Sequence, residues 1–233
     1  ISPQIHRKVV KNFFVGLGWE FQTVYSFGYQ QINPLNGKSS NFTSDTVVGV
    51  YDRSEYKVSG GDIYFTFDSR NHAYCPDKGM LLRLKLAGFN RLVGSEFNFQ
   101  VIELDFRKYI KTYKKHILAI QSLGVFNFGD VPFRNLAVLG GNSMMRGYYN
   151  GRFKDKMFVG AQVEYRLPVY WRFSAVAFVS VGQVMDSFGS FSMSNFHVAF
   201  GPGIRFALLP KEKLNLRLDI GITERYSIQP YVT

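Results

Sequence analysis

Residues 214–223 read Leu-Asn-Leu-Arg-Leu-Asp-Ile-Gly-Ile-Thr. Leu214, Leu216, Leu218, Ile220 and Ile222 fall on one face of an extended chain. Asn215, Arg217, Asp219, Gly221 and Thr223 fall on the other. Successive strand side chains point to opposite faces, so this stretch is a strand with one apolar and one wet side. The pattern returns along the chain. Over 158–167, Val159, Ala161, Val163, Tyr165 and Leu167 oppose Gln162, Glu164 and Arg166. Over 196–208, Phe196, Val198, Phe200, Ile204 and Phe206 oppose His197, Gly201, Gly203 and Arg205. Residues 13–25, 61–70, 80–89 and 99–109 alternate in the same way, and 173–184 adds another apolar strand. Residues 116–128 alternate poorly and 226–233 reads as a weak last strand. The pattern predicts about ten strands and no convincing helix.

Charges opposite a nearly pure hydrocarbon face suit two architectures. In a soluble sandwich the apolar face meets a second sheet. In a transmembrane barrel it meets lipid, and the charges line a wet lumen. Strand length favours the barrel: these runs exceed the ~5–6 residues usual in globular sheets and meet the ~9–11 that a membrane-spanning strand needs. Tyr170, Trp171 and Phe173 around one turn, and Trp19 and Tyr25 on another strand, suit interfacial girdles. Connections tend to alternate between short (111–115, 168–172, 210–213) and long (27–60, 129–157, 185–195), as barrel turns and loops do. Residues 69–79 and 90–97 do not follow that alternation. The stretch 27–60, rich in Asn, Ser, Gly and Thr, reads as a flexible insertion.

Composition excludes other classes. The 233 residues include 23 Phe and 14 Tyr, too many for a disordered chain. No run of ~18 apolar residues is present for a helical span. Cys75 is the single cysteine, so there is no disulfide framework. The net charge of +11 reads as scattered solvated Lys and Arg rather than a nucleic-acid surface. A mean hydropathy of −0.08 beside 17% aromatic residues is what lipid-facing hydrophobes averaged against lumen charges give.

One segment carries more than a period. Residues 139–166 read L-G-G-N-S-M-M-R-G-Y-Y-N-G-R-F-K-D-K-M-F-V-G-A-Q-V-E-Y-R. Gly140-Gly141, then Arg146-Gly147-Tyr148 in a long loop, then a strand ending Glu164-Tyr165-Arg166, resemble the BamA/TamA family of outer-membrane barrels, the bacterial surface antigen family. Phe67-Asp68-Ser69-Arg70, followed by Pro76 and Gly79, resembles that family's strand–turn–strand signature. The resemblance covers most of residues 60–233.

The resemblance implies an all-β transmembrane antiparallel barrel of a Gram-negative outer membrane, this chain supplying about ten of sixteen strands. It implies a barrel domain over 11–233, with 1–10 a tail or the end of a preceding strand. It also implies that the long loop folds into the lumen as a lid, where Arg146 binds acidic and aromatic residues. A guanidinium in a partly dry lumen needs a carboxylate or carbonyl, and its planar fork can use two acceptors. Glu164 is the preferred partner, with Arg166, Phe178, Ser180 and Gly182 beside it. Ser180 stands where the family carries an acid, so a salt bridge is impossible there and only a hydrogen bond remains. The last strand ends at Thr233 without the family's terminal aromatic, and the periplasmic POTRA modules are not present; a fragment of a longer chain is expected. The implied role is insertion or translocation of outer-membrane proteins through a lateral seam, with lipid, lipopolysaccharide, client proteins and accessory lipoproteins as partners and no cofactor.

Two other readings stand beside it: a passive pore or membrane anchor for an upstream domain, and a barrel hydrolase using His197 with Ser174 or Ser180. No motif frames a nucleophile, and His6, His72, His116 and His197 lack metal-ligand spacing. Neither catalytic nor metal residues are therefore assigned. Gly201-Pro202-Gly203 reads as a strand kink, Cys75 as an inert turn residue, and Lys111, Lys114 and Lys115 as a basic turn that either touches anionic headgroups or is simply solvated.

Overall fold

A computed structural model describes residues 2–24, 29–32, 39–42, 55–209, 214–224 and 226–233. In chain order the strands are β1 (Gln4–Val10), β2 (Phe13–Val24), β3 (Tyr29–Ile32), β4 (Ser39–Phe42), β5 (Tyr56–Asp68), β6 (Gly79–Phe89), β7 (Phe99–Lys111) and β8 (Ile117–Gly129). They continue with β9 (Ala137–Leu139), β10 (Phe153–Asp155), β11 (Met157–Tyr170), β12 (Phe173–Met185), β13 (His197–Leu209), β14 (Leu214–Thr223) and β15 (Ile228–Val232). The described helices are single 3-10 turns, and none is long and apolar enough to cross a membrane.

Eleven strands form one antiparallel meander in the order β1-β2-β5-β6-β7-β8-β11-β12-β13-β14-β15. Two short hairpins, β3 with β4 and β9 with β10, stand apart from it. Among the described residues no backbone pairing joins β1 to β15. The eleventh strand is β1, in residues read as a tail or the end of a preceding strand. It turns into β2 through Lys11 and Asn12, and places Gln4 opposite Gly18. Parts of the expected insertion, at 27–28, 33–38 and 43–54, lie outside the described residues.

The sheet is inside-out. Leu17, Ile63, Leu86, Leu104, Val179, Phe200, Ile204, Leu218 and Ile220 are exposed, whereas Asp62, Asp105, Gln162, Glu164, Arg205 and Asp219 are buried. A soluble protein reverses this arrangement. A continuous apolar outer band with polar groups within is the signature of a barrel wall in lipid. Every strand from β5 to β13 in the main sheet has 11 to 14 residues, enough to cross when tilted.

The meander puts the connections at two ends. Among the described residues the turn end holds 11–12, 69–78, 112–116 and 171–172; the loop end holds 90–98, 130–156 and 186–196. The ten-residue connection 69–78 is the long one at the turn end. The strand expected over 61–70 stops at Asp68, because the Asp68 carboxylate accepts the Arg70 backbone N–H at 3.0 Å and Arg70 Nε at 2.9 Å. A side chain that captures the backbone two residues on makes a turn instead of a ladder. Gly79 closes this turn at φ 99°, where a Cβ would meet the Ser69 carbonyl.

Two buried apolar clusters fill the loop end. Val131 sits among Val24, Tyr56, Val58, Phe89 and Phe99. Leu139, Met144, Met145 and Tyr148 sit with Phe158 and Ala199. The connection 130–156 contributes to both, so it crosses inside the sheet's concavity.

Candidate functional site

The hairpin of β9 and β10 pairs Leu139 with Phe153 and launches residues 140–152 inward. The tip is a tight turn in which Tyr148 N–H donates to the Met145 carbonyl at 3.2 Å and Gly141 N–H to the Tyr148 carbonyl at 3.0 Å. Gly147 holds φ 127°, a conformation that side-chain-bearing residues rarely adopt. The wall opposite is cut to receive it. A Cβ on Gly221 of β14 would strike the Arg146 carbonyl carbon and oxygen and the Gly147 nitrogen. Tip and wall therefore touch backbone to backbone.

Arg146 is wholly buried at 0% exposure. Its Nη2 donates to Glu164 Oε2 at 2.6 Å and its Nη1 to Asp219 Oδ2 at 2.5 Å. Its guanidinium carbon lies 3.7 Å from the centre of the Phe178 ring. A planar cation can use in-plane donors and a π-face together, which suits arginine and not lysine. Register explains the convergence. Glu164 is paired with Phe178 across β11–β12, and Phe178 with Gly201 across β12–β13. A Cβ on Gly201 would strike the Ile220 carbonyl oxygen of β14 and come within 3.0 Å of the Phe178 ring, so the glycine lets the β14 backbone approach and leaves space beside that ring. β13 runs through Gly201 and Pro202, but its ladder to β14 passes from Phe200 to Gly203, which faces Asp219.

The two carboxylates carry further cations. Arg166 Nε donates to Glu164 Oε1 at 2.7 Å. Arg205 Nη1 pairs with Asp219 Oδ1, and its Nη2 reaches Asp219 Oδ2 at 3.2 Å and Glu164 Oε2 at 3.5 Å. Arg217 Nη2 donates to Asp219 Oδ2 at 3.2 Å. Arg166 also extends its Nη1 to the Pro76 carbonyl at 3.5 Å. Glu164 thus links the loop-end lid, through Arg166, to the turn-end segment 69–78.

The last strand also holds the tip. Tyr231 of β15 is paired with Asp219. Its hydroxyl accepts the Gly147 N–H at 3.0 Å and donates to the Tyr148 carbonyl at 2.9 Å. The Tyr148 hydroxyl donates to the Val198 carbonyl at 3.3 Å.

Of the residues singled out from sequence, Arg146, Gly147, Tyr148, Glu164, Arg166 and Phe178 converge here. Ser180 does not bond to Arg146: its buried hydroxyl donates to the Ala199 carbonyl at 3.1 Å. Gly182 faces the Phe158 ring instead of the guanidinium. Asp68 and Arg70 pair with each other at 2.7 Å near the turn end, and Pro76 meets the cluster only through Arg166. Asp219, Arg205, Gly221 and Tyr231 were not singled out. Alternation put Asp219 and Arg205 on the wet face, but no local signal tells which wet-face charges a distant loop will meet.

His197 Nδ1 lies 2.9 Å from Glu224 Oε1, and its ring stacks on Phe153 at 4.0 Å. Glu224 Oε2 also accepts the Val198 N–H at 3.0 Å. Partial burial alone pushes the Glu224 carboxyl up, but these donors and the Tyr148 hydroxyl outweigh it and hold the group below its ordinary range. Among the described residues no group of His, Cys, Asp and Glu is placed to hold a metal ion.

The family model described as the Omp85 superfamily domain matches residues 8–225. No curated protein matches the chain. Among solved structures, the crystal structure of BamA from Haemophilus ducreyi lacking POTRA domains 1–3 aligns with a TM-score of 0.72 at 15% identity. The alignment covers 99% of this chain and 52% of that one, so the chain spans about half the length of that relative. At such identity the likeness is one of fold.

Proposed function

Because the chain belongs to the Omp85 superfamily, we propose that it is an integral outer-membrane barrel wall that inserts or translocates other outer-membrane proteins at a lateral seam. The observation that carries this reading is the lid tip held simultaneously by β11, β14 and β15. Arg146 binds Glu164 and Asp219, while Gly147 and Tyr148 bind Tyr231. A lid fixed to the last strand braces that strand while its outer edge stays unpaired among the described residues. An unpaired edge offers a row of N–H and C=O groups to an incoming strand, the general mode of strand addition. In this reading client β-strands are the substrates, lipid and lipopolysaccharide surround the wall, accessory lipoproteins attend it, and no cofactor is required.

Depletion of the protein in its native host, followed by the heat-modifiable mobility of resident outer-membrane barrels, tests the proposal. Folded barrels are expected to fall while their unfolded precursors accumulate. Unchanged folded barrels after complete depletion would remove the assembly role.

A further inference from the structure

Charge does not balance in the lumen beneath the lid. Among the described residues Arg146, Arg166, Arg205 and Arg217 share two carboxylates, Glu164 and Asp219, leaving two positive charges uncompensated there. The neighbouring pairs Asp68–Arg70, Asp105–Arg107 and Asp77–Lys111 are each neutral within themselves. Arg146 and Arg205 are buried, while Arg166 and Arg217 keep 23% and 37% of their side-chain surface; excess like charge in such a partly buried cluster favours an anion that joins it.

The cations surround a space. A cavity of about 270 Å³ opens at the turn end, lined by Lys115, Arg166, Arg205 and Arg217 with Tyr74 and Asn215. A smaller cavity of about 150 Å³ beneath the lid shares Tyr74, Arg166 and Arg217 with it. Arg217 bonds Asp219 through Nη2, while its buried Nε has no acceptor. Arg217 lines this cavity beside Arg166 and Arg205, and three guanidiniums around one space offer donors to an oxyanion. The volume lies just under the ~300–1,000 Å³ of small-molecule pockets, which suits a single small polar group.

We propose that this cavity is a binding site for a phosphate group. Two surplus charges, joined by Lys115 at the mouth, match the ~−1.5 to −2 carried by a phosphate monoester at neutral pH better than a monoanionic carboxylate. The guanidinium fork presents the paired donors that phosphate oxygens take. The group can arrive as free phosphate or as the headgroup of a phosphomonoester lipid, since the mouth is lined by Lys115 of the turn 112–116 and by Ile117, Pro168 and Leu214 at the ends of β8, β11 and β14.

The test uses the full chain folded in neutral detergent, with folding checked by heat-modifiable mobility. Inorganic phosphate is titrated calorimetrically at low ionic strength. Saturable binding is expected, about tenfold or more weaker in Arg217→Gln, in line with loss of a charged hydrogen bond, and several-fold weaker in Lys115→Gln. Lys115 lies exposed in a turn, so its variant keeps the test open where Arg217→Gln fails to fold. Phosphatidic acid in mixed micelles separates the sources. Competition with phosphate supports a headgroup, lack of competition supports free phosphate, and both keep the assignment. No saturable binding by the unaltered chain, equal affinity for acetate, or unchanged binding in the folded variants overturns it.

Discussion

Asp219 on β14 accepts Nη1 of Arg146 at 2.5 Å, so the second carboxylate of the lid anchor comes from two strands beyond Ser180 on β12. Ser180 spends its hydroxyl on Ala199. The two positions should therefore respond differently to substitution. Asp219→Asn strips the shared carboxylate from three guanidiniums, Arg146, Arg205 and Arg217, and should cost about 3–5 kcal/mol, the range for breaking a buried pair. Ser180→Ala removes one neutral bond and should cost about 0.5–1.5 kcal/mol. Thermal unfolding in detergent compares them. A Ser180→Ala loss as large as that of Asp219→Asn would relocate the anchor to β12.

Tyr231 and Asp219 are register partners that hold adjacent parts of one turn. Tyr231→Phe keeps the ring, leaves the Gly147 N–H without its acceptor and takes one of two donors from the Tyr148 carbonyl, which keeps the Gly141 N–H. The unpaired N–H costs about 1–3 kcal/mol when the group is buried. Amide exchange at Gly147 should quicken by one to two orders of magnitude while the β11–β12 ladder stays protected. Exchange unchanged at Gly147 would mean that β15 does not brace the lid.

The wall was legible because its physics is local. Leu214 to Thr223 alternates residue by residue, and alternation reports which face meets lipid. Arg146 and Glu164 were legible as lid and partner through the motif resemblance. Asp219 was legible only as a wet-face charge. Its meeting with Arg146 depends on the path of a 27-residue connection, 130–156, across the lumen and on which strand lies under its tip. Tyr231 was hidden for a related reason: β15 has five residues and a proline, so its alternation is faint, yet its register with β14 fixes where the hydroxyl points. The kink read at Gly201-Pro202-Gly203 has a use that sequence does not display, since the missing side chain at Gly201 makes room for the Ile220 carbonyl of β14 and for the edge of the Phe178 ring.

Acid should loosen the loop end through Glu224. Its carboxyl is depressed in the folded protein by His197, Val198 N–H and Tyr148, against the upward push of burial. A group with a depressed folded value stabilises fully above its unfolded value, about 4.3 for Glu, and that contribution fades as pH falls through the folded value. Thermal unfolding of Glu224→Gln should therefore lie below that of the unaltered chain at pH 6 and converge on it as the pH drops below about 4. A difference that stays constant across this window would assign the effect to packing rather than ionisation.

Gly221 offers the sharpest test of docking because it alters no charge. Its Cα lies on the lumen side of β14 where the Arg146–Gly147 peptide passes, and an added methyl would meet backbone atoms that cannot rotate away. Overpacking a rigid contact costs about 1–3 kcal/mol. Gly221→Ala should therefore push the tip off the wall and lengthen the Arg146 bonds to Glu164 and Asp219, while β14 keeps its pairing because alanine is tolerated in a strand. Trypsin reports the difference. Arg146 is wholly buried at the tip and closed to the protease. In the alanine variant, cleavage after Arg146 should appear in the folded, heat-modifiable barrel at protease levels that leave the unaltered chain intact. Protection equal in both would show that the backbone contact with Gly221 does not hold the lid in place.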